Sequence, residues 1–348
     1  MLDIYLGANA LKTIQEQGMK PELFTNMLGA SGGPKWFTLF GLDKYIFGEF
    51  FKGRTTPINL IGSSAGAFRF AALSQQDPIK SISKFANIYA QTRYSSKPTR
   101  EEISRSVDAL LATLLEKNGI SEIIDNKIYR THFIVSGCKG LTSFENKLLQ
   151  GLGLVTSLAL NRINRGLLSK QYQRFVFHSP YSNLTISDNY NFNTQYITLN
   201  KHNLSAVLSA SGAIPLVMEG IKNIVDAPKG TYRDGGIIDY HFDINIAPCD
   251  GLTLYPHFNK HPKPGWFDKN LTRSVDYKNY NNTLMLVPSE KFIKSLPYQK
   301  IPDRTDYATM TDTVRIKYWK EVLLRTDELA EEFDRFIHTP NLTKTIPL

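Results

Sequence analysis

The sequence predicts an α/β layered fold. Two observations carry that prediction. Short apolar runs alternate with longer helical patterns along the whole chain, and no internal repeat or low-complexity tract interrupts them. One such run, Ile58–Ile61, also passes through a Gly-Ser-Ser-Ala-Gly turn into an apolar helix. Taken in order, Phe24–Leu28 is an apolar strand running into a Gly-rich turn. The helix Pro34–Phe51 follows, with Pro34 at its first position, where a missing N–H costs nothing. Phe37, Phe40, Ile46, Phe47 and Phe50 leave that helix little polar face, so it is expected to be buried. Next come the strand Ile58–Ile61 and helices Ala65–Gln75, Ile79–Arg93 and Arg100–Lys117. Further strands are expected at His132–Ser136, Arg174–Phe177, Gln195–Leu199, Asn223–Val225, Leu252–Tyr255 and Thr283–Val287, with a short helix at Asn203–Ser209. The segment His257–Asn282 has no period and reads as a long loop. A final helix, Thr313–Ile337, gathers Trp319, Val322, Leu323, Leu329, Phe333 and Phe336 on one stripe, with Lys320, Glu321, Glu328 and Glu331 opposite.

Composition narrows the function classes. The 348 residues are 42% hydrophobic and 11% aromatic, enough for a large core, which excludes global disorder. Two cysteines, Cys138 and Cys249, exclude a disulfide scaffold and a Cys-rich zinc site, and suit a reducing compartment. The net charge of +9 favours an anionic partner without choosing among nucleic acid, lipid surface and acidic metabolite. The N-terminus carries neither a basic region nor an apolar core of a cleaved signal peptide. The longest uncharged weakly polar stretch, Leu148 to Asn161, is too short for a bilayer, which needs about 20 residues. A cytoplasmic protein, at most peripheral to a membrane, is expected.

Three local patterns carry chemistry. In Gly62-Ser63-Ser64-Ala65-Gly66 a strand, a tight turn and a helix occur in the order a nucleophile elbow requires. Gly62 and Gly66 give room for the crossing of strand and helix. Ser64 is set at the helix N-terminus, where the dipole favours developing negative charge. Upstream, Gly29-Ala30-Ser31-Gly32-Gly33-Pro34-Lys35-Trp36 is a second strand-turn-helix junction whose backbone N–H groups suit an anion, either a phosphate or an oxyanion. It matches neither a P-loop nor a dinucleotide fingerprint. Third, Asp234-Gly235-Gly236 reads locally as a turn, and Ala210-Ser211-Gly212-Ala213-Ile214-Pro215 ends a short helix before it.

Together and in this order, these motifs resemble the patatin-like acyl hydrolases, a family of phospholipases and lipid esterases, over roughly residues 24 to 243. The resemblance implies a three-layer α/β/α hydrolase with a central, mostly parallel sheet. It implies a catalytic part at 1–245, with 246–348 as a C-terminal extension carrying the 257–282 loop and the 313–337 helix, packed on the same domain. It also implies a Ser–Asp dyad without histidine: Ser64 as nucleophile, Asp234 as its base, and Gly32, Gly33 and Lys35 at the oxyanion hole. Gly235 and Gly236 complete the Asp motif. The implied activity is hydrolysis of carboxylic esters of lipids, phospholipid or lysophospholipid foremost, through an acyl-serine. No cofactor and no metal are called for, and a protein activator stays open. The chain departs from the family at Ser31, where a first Gly is usual, at Trp36, where a Gly is usual, and at Ile237–His241 after the Asp motif.

Other readings compete. An α/β-hydrolase with a Ser–His–Asp triad would draw on His241, His257, His261 or His338, all downstream of Asp234. Asp239, His241 and Asp243 alternate in a strand-like run and so present three potential metal ligands. From Asn146 to Ser187 the chain has five cations, Lys147, Arg162, Arg165, Lys170 and Arg174, no acid, and many interleaved leucines. That content suits an anionic membrane surface, in the limit a binding module without catalysis. It equally suits a lid over an acyl groove or an ordinary core helix. Nucleic acid is not expected, since no recognised motif for it appears.

Overall fold

The computed structural model describes residues 1–248, 250–342 and 345–348, so Cys249 lies outside the described residues. In chain order the strands are β1 (Leu2–Leu6), β2 (Phe24–Gly29), β3 (Ile58–Ser63), β4 (Tyr129–Cys138), β5 (Tyr172–His178), β6 (Thr185–Ser187) and β7 (Thr194–Thr198). They continue with β8 (Ile221–Lys222), β9 (Thr231–Asp234), β10 (Asn245–Ala247), β11 (Leu252–Pro256), β12 (Thr283–Pro288) and β13 (Ile346–Pro347). One sheet has the order β13–β1–β12–β11–β2–β3–β4–β5–β7, with β9 between β4 and β8; β6 and β10 form a separate ribbon. The centre, β12 through β11, β2 and β3 to β4, is parallel. β1 joins β12 antiparallel, and β5 and β9 join β4 antiparallel. The result is a mixed sheet of mostly parallel strands flanked by helices, the α/β class that the alternation predicts. Parallel strands are covered on both faces, which is why β2, β3, β11 and β12 read as continuous apolar runs and are almost wholly buried.

The register on β4 matters most for the site. β3 pairs with the first part of β4, ending at Ser63 opposite Ile134. β9 then pairs along the same strand from Val135 onward, with Asp234 opposite Val135. The C-terminal end of β3 therefore meets the C-terminal end of β9 at adjacent positions of one neighbour. This closes a gap of 170 residues between Ser64 and Asp234.

Elsewhere packing modifies what the pattern predicts. The Pro34–Phe51 helix is a continuous rod of changing pitch: 3-10 over Gly33–Leu39, α over Phe40–Tyr45 and π over Ile46–Phe50. It is buried nearly all round. Trp36 stacks on Phe85 at 4.8 Å and Phe37 meets Trp319 at 5.4 Å, so tertiary contacts set its winding. The last helix is two, Asp312–Arg325 and Asp327–His338, joined at Thr326, whose hydroxyl oxygen accepts the Gly41 N–H at 2.9 Å. Its expected stripe is buried. The strand expected at Asn223–Val225 lies two residues earlier, at β8, because Asn223 takes φ 53° and leaves the extended region. The residues Asp239–Asp243 are not a strand, and Phe242 within them has φ 61°. The 257–282 loop is irregular apart from 3-10 turns at Trp266–Asp268 and Tyr277–Tyr280. The helices Ala8–Gln17, Gly119–Ile124 and Glu290–Ser295 and strand β1 are among the additions to the expected elements, and Lys147–Ile163 is a helix within the 146–187 stretch, for which a helix is one of the readings. Among the described residues no helix is long and apolar enough to cross a membrane.

Candidate functional site

Ser64 sits between β3 and the helix Ala65–Leu73 with φ 53° and ψ −121°, a left-handed conformation that a non-glycine residue adopts only when its surroundings impose it. Three contacts impose it. Its N–H donates to Ser211 Oγ at 3.0 Å, and the Ser211 hydroxyl donates onward to the Ile134 carbonyl at 2.8 Å. Gly62, next to last in β3, lies so close to the helix start that a Cβ there would stand 2.7 Å from the Ala67 nitrogen. Gly66 lies so close to β2 that a Cβ there would stand 1.7 Å from the Gly29 carbonyl oxygen, so only glycine lets the helix start directly over the sheet.

The Ser64 hydroxyl donates to Asp234 Oδ2 at 2.8 Å, both side chains being buried. The other carboxylate oxygen, Oδ1, accepts the Gly236 N–H at 2.7 Å, as Gly235–Ile237 turns over it. The Asp234 N–H is held in turn by the Ala213 carbonyl at 3.1 Å. The Ala210–Pro215 segment thus touches both partners: Ser211 fixes the serine backbone and Ala213 the aspartate backbone. Burial pushes the Asp234 carboxyl above its ordinary range, while Arg304, the Ser64 hydroxyl and the Gly236 N–H pull back the other way. A carboxylate raised in this way and hydrogen-bonded to a serine can take the hydroxyl proton as the oxygen attacks an electrophile.

Two hollows meet at Ser64. One is an apolar cavity of about 290 Å³, lined by Phe68, Phe85, Tyr89, Ile103, Val107 and Leu110 among others, with Gly33, Val217 and Arg304 on its wall. The second is a small cup of mixed lining that brings Ser31, Gly32, Ser64, Asp234, Lys269 and Arg304 together with the apolar Ile214, Pro215, Ile237 and Trp266. Gly33 has φ 57°, which bends the loop around Ser64. Ser31 donates to Ser63 Oγ at 3.0 Å and its N–H to the Tyr240 carbonyl at 2.9 Å, so the departure from glycine there pins the loop. Trp36 fills the aromatic cluster beneath it. Lys35 lines neither hollow; its Nζ lies 3.3 Å from Asp303. The cations of the cup are Arg304, which shares a hydrogen bond with Tyr89, and Lys269, whose Nζ stands 4.2 Å from the centre of the Tyr240 ring. Burial, with Arg304 and Lys35 nearby, pushes the Lys269 ammonium down to about 8. Both cations come from irregular segments where the sequence offers no period, and no motif points to them.

No histidine lines either hollow among the described residues. His241 and His257 are buried with rings 4.4 Å apart, and burial holds both in the neutral form, His257 at about 3. His241 Nδ1 accepts the Lys263 N–H at 2.9 Å, and His257 Nδ1 contacts the Asn259 carbonyl at 2.6 Å. His261 and His338 are exposed. Asp239 forms a two-pronged pair with Arg174 at 2.6 and 2.9 Å. Asp243 accepts from Tyr190, Asn279 and the Asp276 N–H. The three residues Asp239, His241 and Asp243 therefore serve separate partners, and no group of three or more His, Cys, Asp or Glu among the described residues is arranged to hold a metal ion. Cys138 is buried and unbridged, its thiol pushed up to about 12 by burial.

Compared with known proteins, the chain matches no family model and no curated sequence. Among solved structures it aligns with VipD from Legionella pneumophila at 10% identity and a TM-score of 0.36, covering 89% of this chain and 67% of that one. It also aligns with human GIVD cytosolic phospholipase A2 at 11% identity and a TM-score of 0.36, covering 97% of this chain and 63% of that one. The chain thus spans about two thirds of the length of each, and both likenesses lie below the level at which a fold or an activity transfers.

Proposed function

We propose that this protein is a lipid acyl hydrolase of the patatin-like type, cleaving carboxylic esters through an acyl-Ser64 intermediate with Asp234 as base. The observation that carries the reading is the 2.8 Å hydrogen bond from Ser64 to the buried Asp234 carboxylate, where an apolar cavity meets a cationic cup. In the first step the Ser64 oxygen attacks the ester carbonyl, its proton passes to Asp234, and the alcohol leaves with that proton. Water then attacks the acyl-serine, Asp234 takes its proton and hands it to the Ser64 oxygen as the acyl–oxygen bond breaks, and the fatty acid departs with the free serine restored. Gly32 and Gly33, beside Ser64, would offer N–H groups to the oxyanion; one such donor is typically worth about 3 kcal/mol. The apolar cavity suits an acyl chain, and Arg304 with Lys269 suits the phosphate of a phospholipid or lysophospholipid. The chemistry asks for no metal or organic cofactor.

Release of fatty acid from mixed phospholipid vesicles by wild type, Ser64→Ala and Asp234→Asn tests this. Both substitutions are expected to lower turnover by about 10³-fold or more, with a fluorophosphonate labelling Ser64 in wild type alone. Activity that survives Ser64→Ala overturns the nucleophile assignment.

A further inference from the structure

The helix Lys147–Ile163 is built inside out. Its buried residues are Gln150, Gly153, Ser157 and Asn161, while Leu148, Leu152, Val155, Leu158 and Ile163 are 72%, 51%, 66%, 47% and 77% exposed. The inner face is held by hydrogen bonds. Gln150 accepts the Leu216 N–H at 2.8 Å, Ser157 meets Tyr172 Oη at 2.9 Å, and Asn161 donates to Asp268 at 2.8 Å. These bonds fix which side faces the protein. The outer spacing of four, three and three residues from 148 to 158 places the apolar side chains along one stripe. Leu141 and Phe144, just before the helix, add to the exposed apolar surface at 38% and 48%. Exposed apolar side chains gathered in this way mark a candidate interaction surface, because contact with water disfavours them.

We infer that this face is the surface by which the protein lies on an anionic lipid bilayer, feeding acyl chains to the site. Two observations select the occupant. The first is charge. Lys139 precedes the helix, Lys147 and Arg162 stand at its two ends and Lys170 follows, all exposed, and the sequence holds no acid from Asn146 to Ser187. Cations rimming an apolar stripe match anionic headgroups over hydrocarbon. The second is continuity with the cavity. Leu216, bonded to Gln150, and Val217 are 40% and 41% exposed, and Val217 lines the apolar cavity that ends at Ser64. An acyl chain lifted from a bilayer under the helix would find the cavity mouth beside it.

The lipid identity of the occupant rests on the hydrolase reading, so the test measures binding without turnover. Ser64→Ala protein is sedimented with vesicles of phosphatidylcholine alone or mixed with phosphatidylglycerol. The same is done after adding Leu148→Gln, Leu152→Gln, Val155→Gln and Leu158→Gln together; Gln keeps helix propensity at these exposed positions. The parent is expected to pellet with the mixed vesicles, less at high salt, and the face variant to partition about tenfold or more weakly. In the Ser64 background the face variant is expected to hydrolyse a short water-soluble ester as wild type does, which shows that it is folded. Leu152→Trp alone is expected to shift its emission to the blue on the mixed vesicles. Equal pelleting of parent and face variant, or no pelleting of either, overturns the inference. So does a dimer in sedimentation velocity that the face variant converts to monomer, since the face would then join two copies. None of these outcomes depends on lipid hydrolysis, whose failure would be seen separately in the fatty acid assay.

Discussion

Burial lifts the Asp234 carboxyl above its ordinary value of 3.8, so the folded chain holds a proton there more tightly than the unfolded chain. The sign follows. Below the ordinary value the group is protonated in both states and costs nothing. As pH rises through the folded pKa the buried site must carry charge, and stability falls. Asparagine in its place keeps an oxygen for the Gly236 N–H and an amide toward Ser64, without the charge. Asp234→Asn is therefore expected to melt higher than wild type at neutral pH, with the difference vanishing below the ordinary carboxylate value. Thermal melts of both proteins across this range check it, and an equal or lower melting temperature for the variant at neutral pH would sink the argument. Ser64 adds its own tension through its left-handed backbone, held by Ser211 and the neighbouring glycines. The two residues proposed to carry the reaction are thus ones that the fold holds against their local preference.

At the scale of elements, the parts visible in the sequence are those whose chemistry is local. The Gly62–Gly66 turn, the Gly32–Gly33 turn and Asp234-Gly235-Gly236 are each short patterns, and the structure sets all three around one point. The cavity was not legible for a physical reason. Ile103, Val107 and Leu110 occupy one stripe of the helix Arg100–Leu115, and Phe85 and Tyr89 one stripe of Pro78–Gln91, a spacing that fits core packing as well as a cavity wall. The inverted polarity of the helix Lys147–Ile163 was hidden likewise, because its leucines surround small and polar residues that only tertiary hydrogen bonds pull inward. Arg304 and Lys269 arrive on loops without period, yet they give the cup its charge. Arg304→Leu is expected to raise KM for lysophosphatidylcholine by about tenfold, leaving a monoacylglycerol of the same chain nearly unchanged. Lys269, pushed down to about 8, is charged below that pH and neutral above it. The KM for the phosphate-bearing ester is therefore expected to climb through about pH 8 in wild type and to stay flat there in Lys269→Met. A parallel climb for monoacylglycerol would point instead to loss of the fold.

At the scale of the whole molecule, the last hundred residues are structural partners of the first. β11 and β12 lie inside the sheet between β2 and β1, and β1 reaches the parallel centre only through β12. Leu254 and Tyr255 of β11 and Leu284–Leu286 of β12 are buried without measurable exposure. The helix Asp312–Arg325 brings Trp319 against Phe37, and Asp327–His338 brings Phe333 against Phe50 and Tyr45. Arg304 enters the cup from the same region. Removing residues 246–348 would open the apolar edge of β2, detach β1 and strip the rod Gly33–Phe50 of its cover. Such a fragment loses far more buried apolar surface than the small net stability of a folded chain can absorb. A 1–245 fragment is therefore expected to show no cooperative thermal transition by near-ultraviolet circular dichroism and no labelling of Ser64 by a fluorophosphonate. Co-expression with 246–348 as a separate chain is expected to restore both, since the missing strands can pair in the gap they left. If 1–245 alone melts cooperatively and labels at Ser64, the sheet is held by its N-terminal part, and β11 and β12 merely extend it. The geometry argues against that outcome, because a strand pair in the interior of a parallel sheet supplies hydrogen bonds on both of its edges.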